Sequence, residues 1–241
     1  MKKALLVLLV FIVIFTMVSC ANTAPQPNAT TASPAAYEYE AKDGGITILS
    51  HQYNPQESEI VIPEQLDGMS VSALGEDAFY QHESTASITL PTSLEQIAGN
   101  AFYRCYSLKQ SFIPCNVKSI TGNPYFRCSS LESITVDSQN QHFSDDNGVL
   151  FNKDKTILIA YPEGKTDESY TIPPTVTKIE GDAFGYLPKI KELRIPSNVV
   201  EFPHYNMFVY AQDIKIYVES DSAAEKYAKQ FGLNYEIISE G

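Results

Sequence analysis

Cysteine is scarce: four in 241 residues, too few for a fold built on disulfides. Cations are scarce too. Lys and Arg number 17 against 29 Asp and Glu, a formal charge of −12, which excludes nucleic acid as the natural partner because that affinity comes from cations meeting phosphates. The four histidines, His51, His82, His142 and His204, are scattered with no ligand spacing. No Gly-rich phosphate loop, nucleophile elbow or His-Glu-x-x-His motif appears. Asp145-Asp146-Asn147-Gly148 lacks the spacing of a calcium loop and reads as a solvated turn. Glu132, Glu168 and Glu192 are carboxylates of the kind that glycoside chemistry uses in pairs, but an acidic solvated face is the default. The expectation is a non-enzyme without cofactor or metal. Apolar residues at 44% and charged residues at 19% bound the chain to one ordinary folded domain or two small ones.

The start of the chain reads as an address. Met1-Lys2-Lys3 is basic, and Ala4 to Val18 carries no charge. As a helix that run rises about 22 Å, short of the ~30 Å hydrocarbon core of a bilayer. Length and flank fit a secretory signal over residues 1–19. Its end, Met17-Val18-Ser19-Cys20, resembles the lipobox of bacterial lipoproteins, with Met17 where leucine is usual. The resemblance implies lipidation at Cys20, with the protein exported, anchored to the bacterial envelope and facing outward. The alternative is an ordinary cleaved signal with an incidental cysteine. Each buried methylene of an acyl chain contributes about 0.8 kcal/mol, so two or more chains anchor stably. Loss of residues 1–19 leaves 15 cations against 29 acids. Such a surface is repelled by anionic headgroups, so contact with the membrane is through the N-terminal lipid only. The following stretch to residue 36 has no charge, no large apolar side chain and three prolines, and reads as a tether over residues 20–36.

The remainder, residues 37–241, is a repeat. Pro91 and Pro114 lie 23 residues apart, as do Pro173 and Pro196. Leu90, Ile113 and Val136 keep the step; so do Ile172, Ile195 and Val218. Leu94 pairs with Val117, Val176 with Val199, and Leu108 with Leu131. Phe79 to Phe102 is 23, while Phe102 to Phe126 and Phe184 to Phe208 are 24. The unit is a strand, Ile/Leu-Pro, an apolar residue three further on, an Ile, then Gly-x-x-Ala-Phe and a short link. Ser87-Ile88-Thr89-Leu90 and Ser133-Ile134-Thr135-Val136 alternate polar and apolar, as half-buried strands do. Proline has no N–H and stops the ladder. Each Ala-Phe segment is too short for a helix and forms a single turn. One coil cannot bury enough apolar surface to offset the entropy of ordering it, so coils must stack and share a core, with the phenylalanine rings in a column.

The Ile-Pro and Leu-Pro steps, Gly181-Asp182-Ala183-Phe184, Gly75-Glu76-Asp77-Ala78-Phe79 and the link Phe102-Tyr103-Arg104-Cys105-Tyr106-Ser107-Leu108 resemble the BspA-type leucine-rich repeats of bacterial surface proteins. Tyr125 before Phe126 and Met207 before Phe208 replace the alanine, and Pro203-His204 stands where a glycine is usual. The resemblance implies an α/β-type repeat: a short leucine-rich solenoid of parallel strands stacked coil on coil. It also implies attachment to host or bacterial surface proteins, or to glycans.

Residues 37–49 read as an opening hairpin with a Gly44-Gly45 turn. Val136 to Ile172 spans 36 residues instead of 23. The excess, about 137–166, contains strand, turn and strand in Gly148–Tyr161, which reads as an inserted hairpin. A terminal cap at about 219–241 has a helix over Ser220–Phe231, capped by Ser220 or Asp221 and ended by Gly232, then a strand at Asn234–Ile238. Cys105 and Cys128 share a coil position; a bridge is in range, and two small core thiols are the simpler reading. Cys115, after Pro114, is expected on an exposed turn as a free thiol.

The candidate binding residues face outward from the strands: Thr89, Gln110, Phe112, Thr135, Thr171, Glu192, Arg194, Lys215 and Tyr217, with Ser87, Ser133 and Ser169 beside them. Extended surfaces of this kind are where repeat proteins bind. Phe112 and Tyr217 are aromatics where the pattern calls for polar residues. The expected function is a monomeric surface module that recognises a protein or glycan. An envelope scaffold is the alternative class.

Overall fold

The structure, a computed structural model, describes residues 34–185, 189–208, 210–211 and 213–238. The signal segment, Cys20 and most of the tether lie outside the described residues. Pro34–Ala36 form one 3-10 turn, and the Ala36 carbonyl accepts from Gln52 N–H at 2.7 Å.

The 23-residue step is the register of a parallel ladder. Gln110–Ile113 pairs with Ser133–Val136, Gln110 opposite Ser133. Ser169–Thr171, Glu192–Ile195 and Lys215–Glu219 pair in turn, Ser169 opposite Glu192 opposite Lys215, and Tyr235–Ile238 closes that sheet. Glu59–Val61 lies beside Ser87–Thr89. Each coil then crosses to a second face. There Gly45–His51, Met69–Leu74, Gln96–Ile97 and Ser119–Ile120 run parallel, with Tyr37–Lys42 antiparallel at the outer edge. The result is a solenoid of stacked parallel strands, mostly strand, with one helix among the described residues. "α/β-type" overstates the helical share, because the Ala-Phe segments are turns. No helix among the described residues is long and apolar enough to cross a membrane.

Proline sets the corner between the two faces. Its carbonyl accepts from the N–H three residues on: Leu94 to Pro91, Val117 to Pro114, Val176 to Pro173 and Val199 to Pro196, at 3.0–3.3 Å. These are β-turns, with proline at their first position. Each drops its Leu or Val into the core, where all four are fully buried.

The ring column differs from the expected one in one rung. Phe79 and Phe102 stack at 5.7 Å, but the next ring is Tyr125, 5.2 Å from Phe102 and 8° from parallel. Phe126 instead lies 5.6 Å from Tyr103, outside the core. Pro124, not Tyr125, takes the alanine's place: its carbonyl accepts from Phe102 N–H as that of Ala101 accepts from Phe79 N–H. The step is therefore 23 from Phe79 to Tyr125. The phenol is tolerated at depth because Tyr125 Oη and Ser111 Oγ share a 2.7 Å hydrogen bond, and burial raises its pKa. Ahead of Phe79 the column holds His51, 5.4 Å away. In the second half it runs Tyr161, Phe184, Phe208, each 5.8 Å from the next.

The insertion carries three strands where two were expected. Phe143–Asp146, Val149–Asn152 and Ile157–Ala160 form an antiparallel meander, and its last strand runs parallel to Lys178–Ile179. Asn147 and Gly148, at φ +49° and +80°, make the tight turn with both central residues left-handed that matches strand twist. Leu150, Phe151 and Leu158 are fully buried, so the segment is built into the stack. It divides the interior into two clusters, Tyr37 to Ala160 and Val149 to Tyr227. The halves are stitched by Asn123 Nδ2 donating to Asp182 O (2.8 Å), Arg127 N–H to Glu163 Oε1 (2.8 Å) and Gly164 N–H to Leu131 O (2.7 Å). A Cβ on Gly164 would come within 2.5 Å of the Ser130 backbone.

The helix is Ala223–Phe231, starting later than expected. Ser222 caps it by accepting from Glu225 N–H at 3.1 Å, while the Glu225 carboxylate accepts from Asp221 N–H, one residue before the cap, at 2.7 Å, so two backbone donors at the helix start are satisfied. Gly232, at φ +63°, ends it.

Candidate interaction surface

Alternation along the strands places every expected surface residue outward. Gln110, Thr135, Thr171, Glu192 and Arg194 are exposed; Thr89, Phe112, Lys215 and Tyr217 are half-buried. They fall in separate ladders. Phe112 lies opposite Thr135 in one ladder, and Tyr217 opposite Arg194 and Thr171 in another. The edge of Ser133–Val136 is taken by the meander, since Ile134 N–H donates to Gly148 O (2.9 Å) and Val136 N–H to Asp145 Oδ1 (2.8 Å).

The second ladder carries a compact polar cluster around one ring. The Arg194 guanidinium carbon is 4.9 Å from the Tyr217 centroid, and Lys215 Nζ is 5.2 Å from it. Both are favourable contacts of a cation with the negative ring face. Tyr217 Oη donates to Glu192 Oε1 at 3.3 Å. Lys215 pairs with Glu236 at 2.7 Å, and that hydrogen bond raises the lysine's pKa. Lys191 and Glu168 pair beside it, both largely exposed. Exposed pairs of this kind contribute little stability; what they do is fix the side chains around Tyr217.

The other sequence candidates are otherwise engaged. Asp145 accepts from Val136, and Asp146 pairs with Lys155 at 3.0 Å. Among the described residues no three His, Cys, Asp or Glu converge as for a metal. Cys105 and Cys128 are free and fully buried, and their thiols donate to the Phe79 and Phe102 carbonyls at 3.2 and 3.1 Å. Burial holds the Cys128 thiol well above its ordinary pKa. Cys115 is buried rather than exposed and is not a free thiol.

Two features went unread in the sequence. His51 and His82 are both buried, with Nδ1 of the first 2.9 Å from Nε2 of the second. A second column, Tyr80, Tyr103 and Phe126, runs outside the buried rings. The signal for it was present in the pairs Phe79-Tyr80, Phe102-Tyr103 and Tyr125-Phe126, which keep the 23-residue step once Tyr125 is placed inside.

Six copies of the BspA type leucine rich repeat match the chain, over residues 52–154 and 161–226. The chain belongs to the BspA-type leucine-rich repeat family. Among solved structures it is similar to the pneumococcal vaccine antigen PcpA, at 19% identity over 76% of this chain and 68% of that one (TM-score 0.48). A leucine rich cell surface protein from Faecalibacterium prausnitzii A2-165 is 16% identical over 89% of this chain and 96% of that one (TM-score 0.48). The Treponema pallidum leucine rich repeat protein is 17% identical over 88% of this chain and all of that one (TM-score 0.43). No curated protein matches the chain.

Proposed function

We propose that this BspA-type repeat protein is a surface-exposed bacterial binding module, held to the envelope by lipid on Cys20. It recognises a protein partner through the outward face of its C-terminal ladder. The observation that carries this reading is the Tyr217 cluster: a half-buried ring with Arg194 and Lys215 at its face and Glu192 at its hydroxyl. Tyrosine and arginine are the residues most enriched where interfaces draw their energy. Here their geometry is set by neighbouring charges before any partner arrives, which lowers the cost of ordering them on binding. Family membership supports a protein-binding or adhesion role over catalysis. The half-buried Phe112, in the other ladder, is a secondary contact.

The test is a pull-down from host extracellular-matrix and bacterial surface extracts, followed by titration of the captured protein. Tyr217→Ser is expected to weaken binding about tenfold or more, on the order of 1.4 kcal/mol or above, with an unchanged melting curve. Unchanged affinity would remove this face from consideration. Metabolic labelling with a fatty acid, lost in Cys20→Ser, tests the anchor.

A further inference from the structure

The turn edge of the first half offers a second, chemically different surface. Tyr80 and Tyr103 stack at 5.4 Å and 30°, Tyr103 and Phe126 at 5.6 Å and 17°. The rings face one another along the coil axis, so Tyr103 and Phe126 brace Tyr80 from one side. On its other side the matching position belongs to Gln52, which follows His51 as Tyr80 follows Phe79. Gln52 is exposed and brings no ring, and Tyr80 is 40% exposed. One face of a braced phenol ring is thus open.

Arg104 stands next to it. Its guanidinium carbon lies 5.1 Å from the Tyr103 centroid and 6.0 Å from that of Tyr80, and Nη1 donates to Tyr80 Oη at 3.4 Å. The backbone at Arg104 is left-handed, φ +63°, a conformation that a long side chain rarely adopts. Although the chain holds 29 acids, none among the described residues lies within ion-pair distance of Arg104. Its Nε is buried without a hydrogen-bond partner. The cation is therefore held against rings and unneutralised, with Nη2 and the second Nη1 hydrogen left for an end-on contact with a carboxylate.

The backbone at this edge is already in use. Phe79 N–H donates to Ala101 O, Gln81 N–H to Tyr103 O and Arg104 N–H to Phe126 O. A peptide adding itself as a strand would find no free main-chain partners here. A ligand must be held by an open ring face, phenol hydroxyls and one guanidinium.

We propose that Tyr80 and Arg104 form a subsite for a carboxylate-bearing sugar of an acidic polysaccharide. The sugar's C–H face lies on the open, electron-rich face of Tyr80, its carboxylate meets Arg104, and its hydroxyls reach the tyrosine hydroxyls. The net charge of −12 opposes the approach of a polyanion, so the contact rests on the short-range pairing with Arg104 and on the ring face, and suits a short oligosaccharide better than a long polyanion. The subsite does not depend on the strand face around Tyr217.

The test titrates the protein with oligogalacturonate, its neutral methyl ester, and poly-glutamate. Saturable binding of oligogalacturonate is expected, at least tenfold tighter than of the ester or the acidic peptide, and weakening as salt rises. Arg104→Gln is safe for the fold, because Gln81 holds the same left-handed position one coil earlier at φ +58°. It should lose tenfold or more, as should Tyr80→Ser, while Tyr217→Ser binds as wild type. Arg104→Gly, which suits the left-handed backbone, should lose binding with an unchanged melting temperature. Absent binding, equal binding of the ester, poly-glutamate binding as tight, or an unaffected Arg104→Gln would each overturn the proposal.

Discussion

Lowering the pH from 7.5 to 4.5 tests the buried pair of His51 and His82. His82 Nδ1 lies 3.2 Å from the Tyr80 carbonyl, a pure acceptor, so that nitrogen carries the proton. His82 Nε2 must then accept from His51 Nδ1 at 2.9 Å. Both rings are neutral in this arrangement, and a proton on either sets a charge beside its neighbour. They are packed among Tyr37, Tyr53 and Phe79, and among the described residues the carboxylate within salt-bridge range of His51 Nε2 is that of Glu57, 4.0 Å away. Burial, then the proximity of His82, lowers the His51 pKa from 6.5 to about 4; burial lowers that of His82 as well. The unfolded chain therefore takes up protons first. The stability contributed by the neutral pair is fully present above pH 6.5 and is lost as the pH falls from there toward 4. At pH 4.5 the unfolded His51 sits two units below its pKa, which costs the fold about 2.7 kcal/mol at 1.36 kcal/mol per unit. Urea unfolding at stepped pH measures this against the double variant His51→Phe with His82→Phe. Phenylalanine at 51 continues the ring column, and removing both partners leaves no orphaned nitrogen. Carboxylate titration is common to both proteins, so the difference between their curves isolates the imidazoles. The wild type should lose at least about 2 kcal/mol more than the variant from pH 7.5 to 4.5, since His82 adds to the contribution of His51. Parallel curves would refute the reasoning.

Three further outcomes follow from the packing. Phe102, flanked by Phe79 and Tyr125 and fully buried, should cost about 3–5 kcal/mol as Phe102→Ala by urea unfolding, since neighbouring rungs cannot collapse into the gap without breaking register. Ser222→Ala removes the cap on the Ala223–Phe231 helix and should cost about 1 kcal/mol in the same assay. Cys105 and Cys128, buried and unbridged, should be alkylated by iodoacetamide only after unfolding; labelling of the native protein by mass spectrometry would contradict their placement.

The coil was legible because its signals are local and repeated. An Ile-Pro step, a Val or Leu three residues on and an Ala-Phe turn recur at one spacing, and each does the same work in every coil. Asp145-Asp146-Asn147-Gly148 was legible only as a turn; the strand Phe143–Asp146 that enters it was not, because Ser144-Asp145-Asp146 carries no apolar alternation. Tyr125 was misplaced because residue type was read without its depth. A ring beside another ring looks like the next phenylalanine, and only the hydroxyl bond from Ser111 and the carbonyl of Pro124 decide which of the two goes inside. Outward residues were legible from alternation, but their grouping was not. Whether Phe112 and Tyr217 share a surface depends on what occupies the edge of Ser133–Val136, and that partner, Gly148, comes from the meander. His51 carried no sequence signal at all, since it enters the ring column 28 residues before Phe79 rather than 23.

Sequence by itself determined that this chain stacks coils of 23 residues, because burial and backbone pairing can be satisfied only if each coil repeats the side chains of the last. Tertiary structure alone decided which rings face inward, where the strand ladders separate, and that no carboxylate among the described residues pairs with Arg104. Those depend on contacts between residues one or more coils apart, and a linear period says that two residues meet without saying which side of the backbone each one takes.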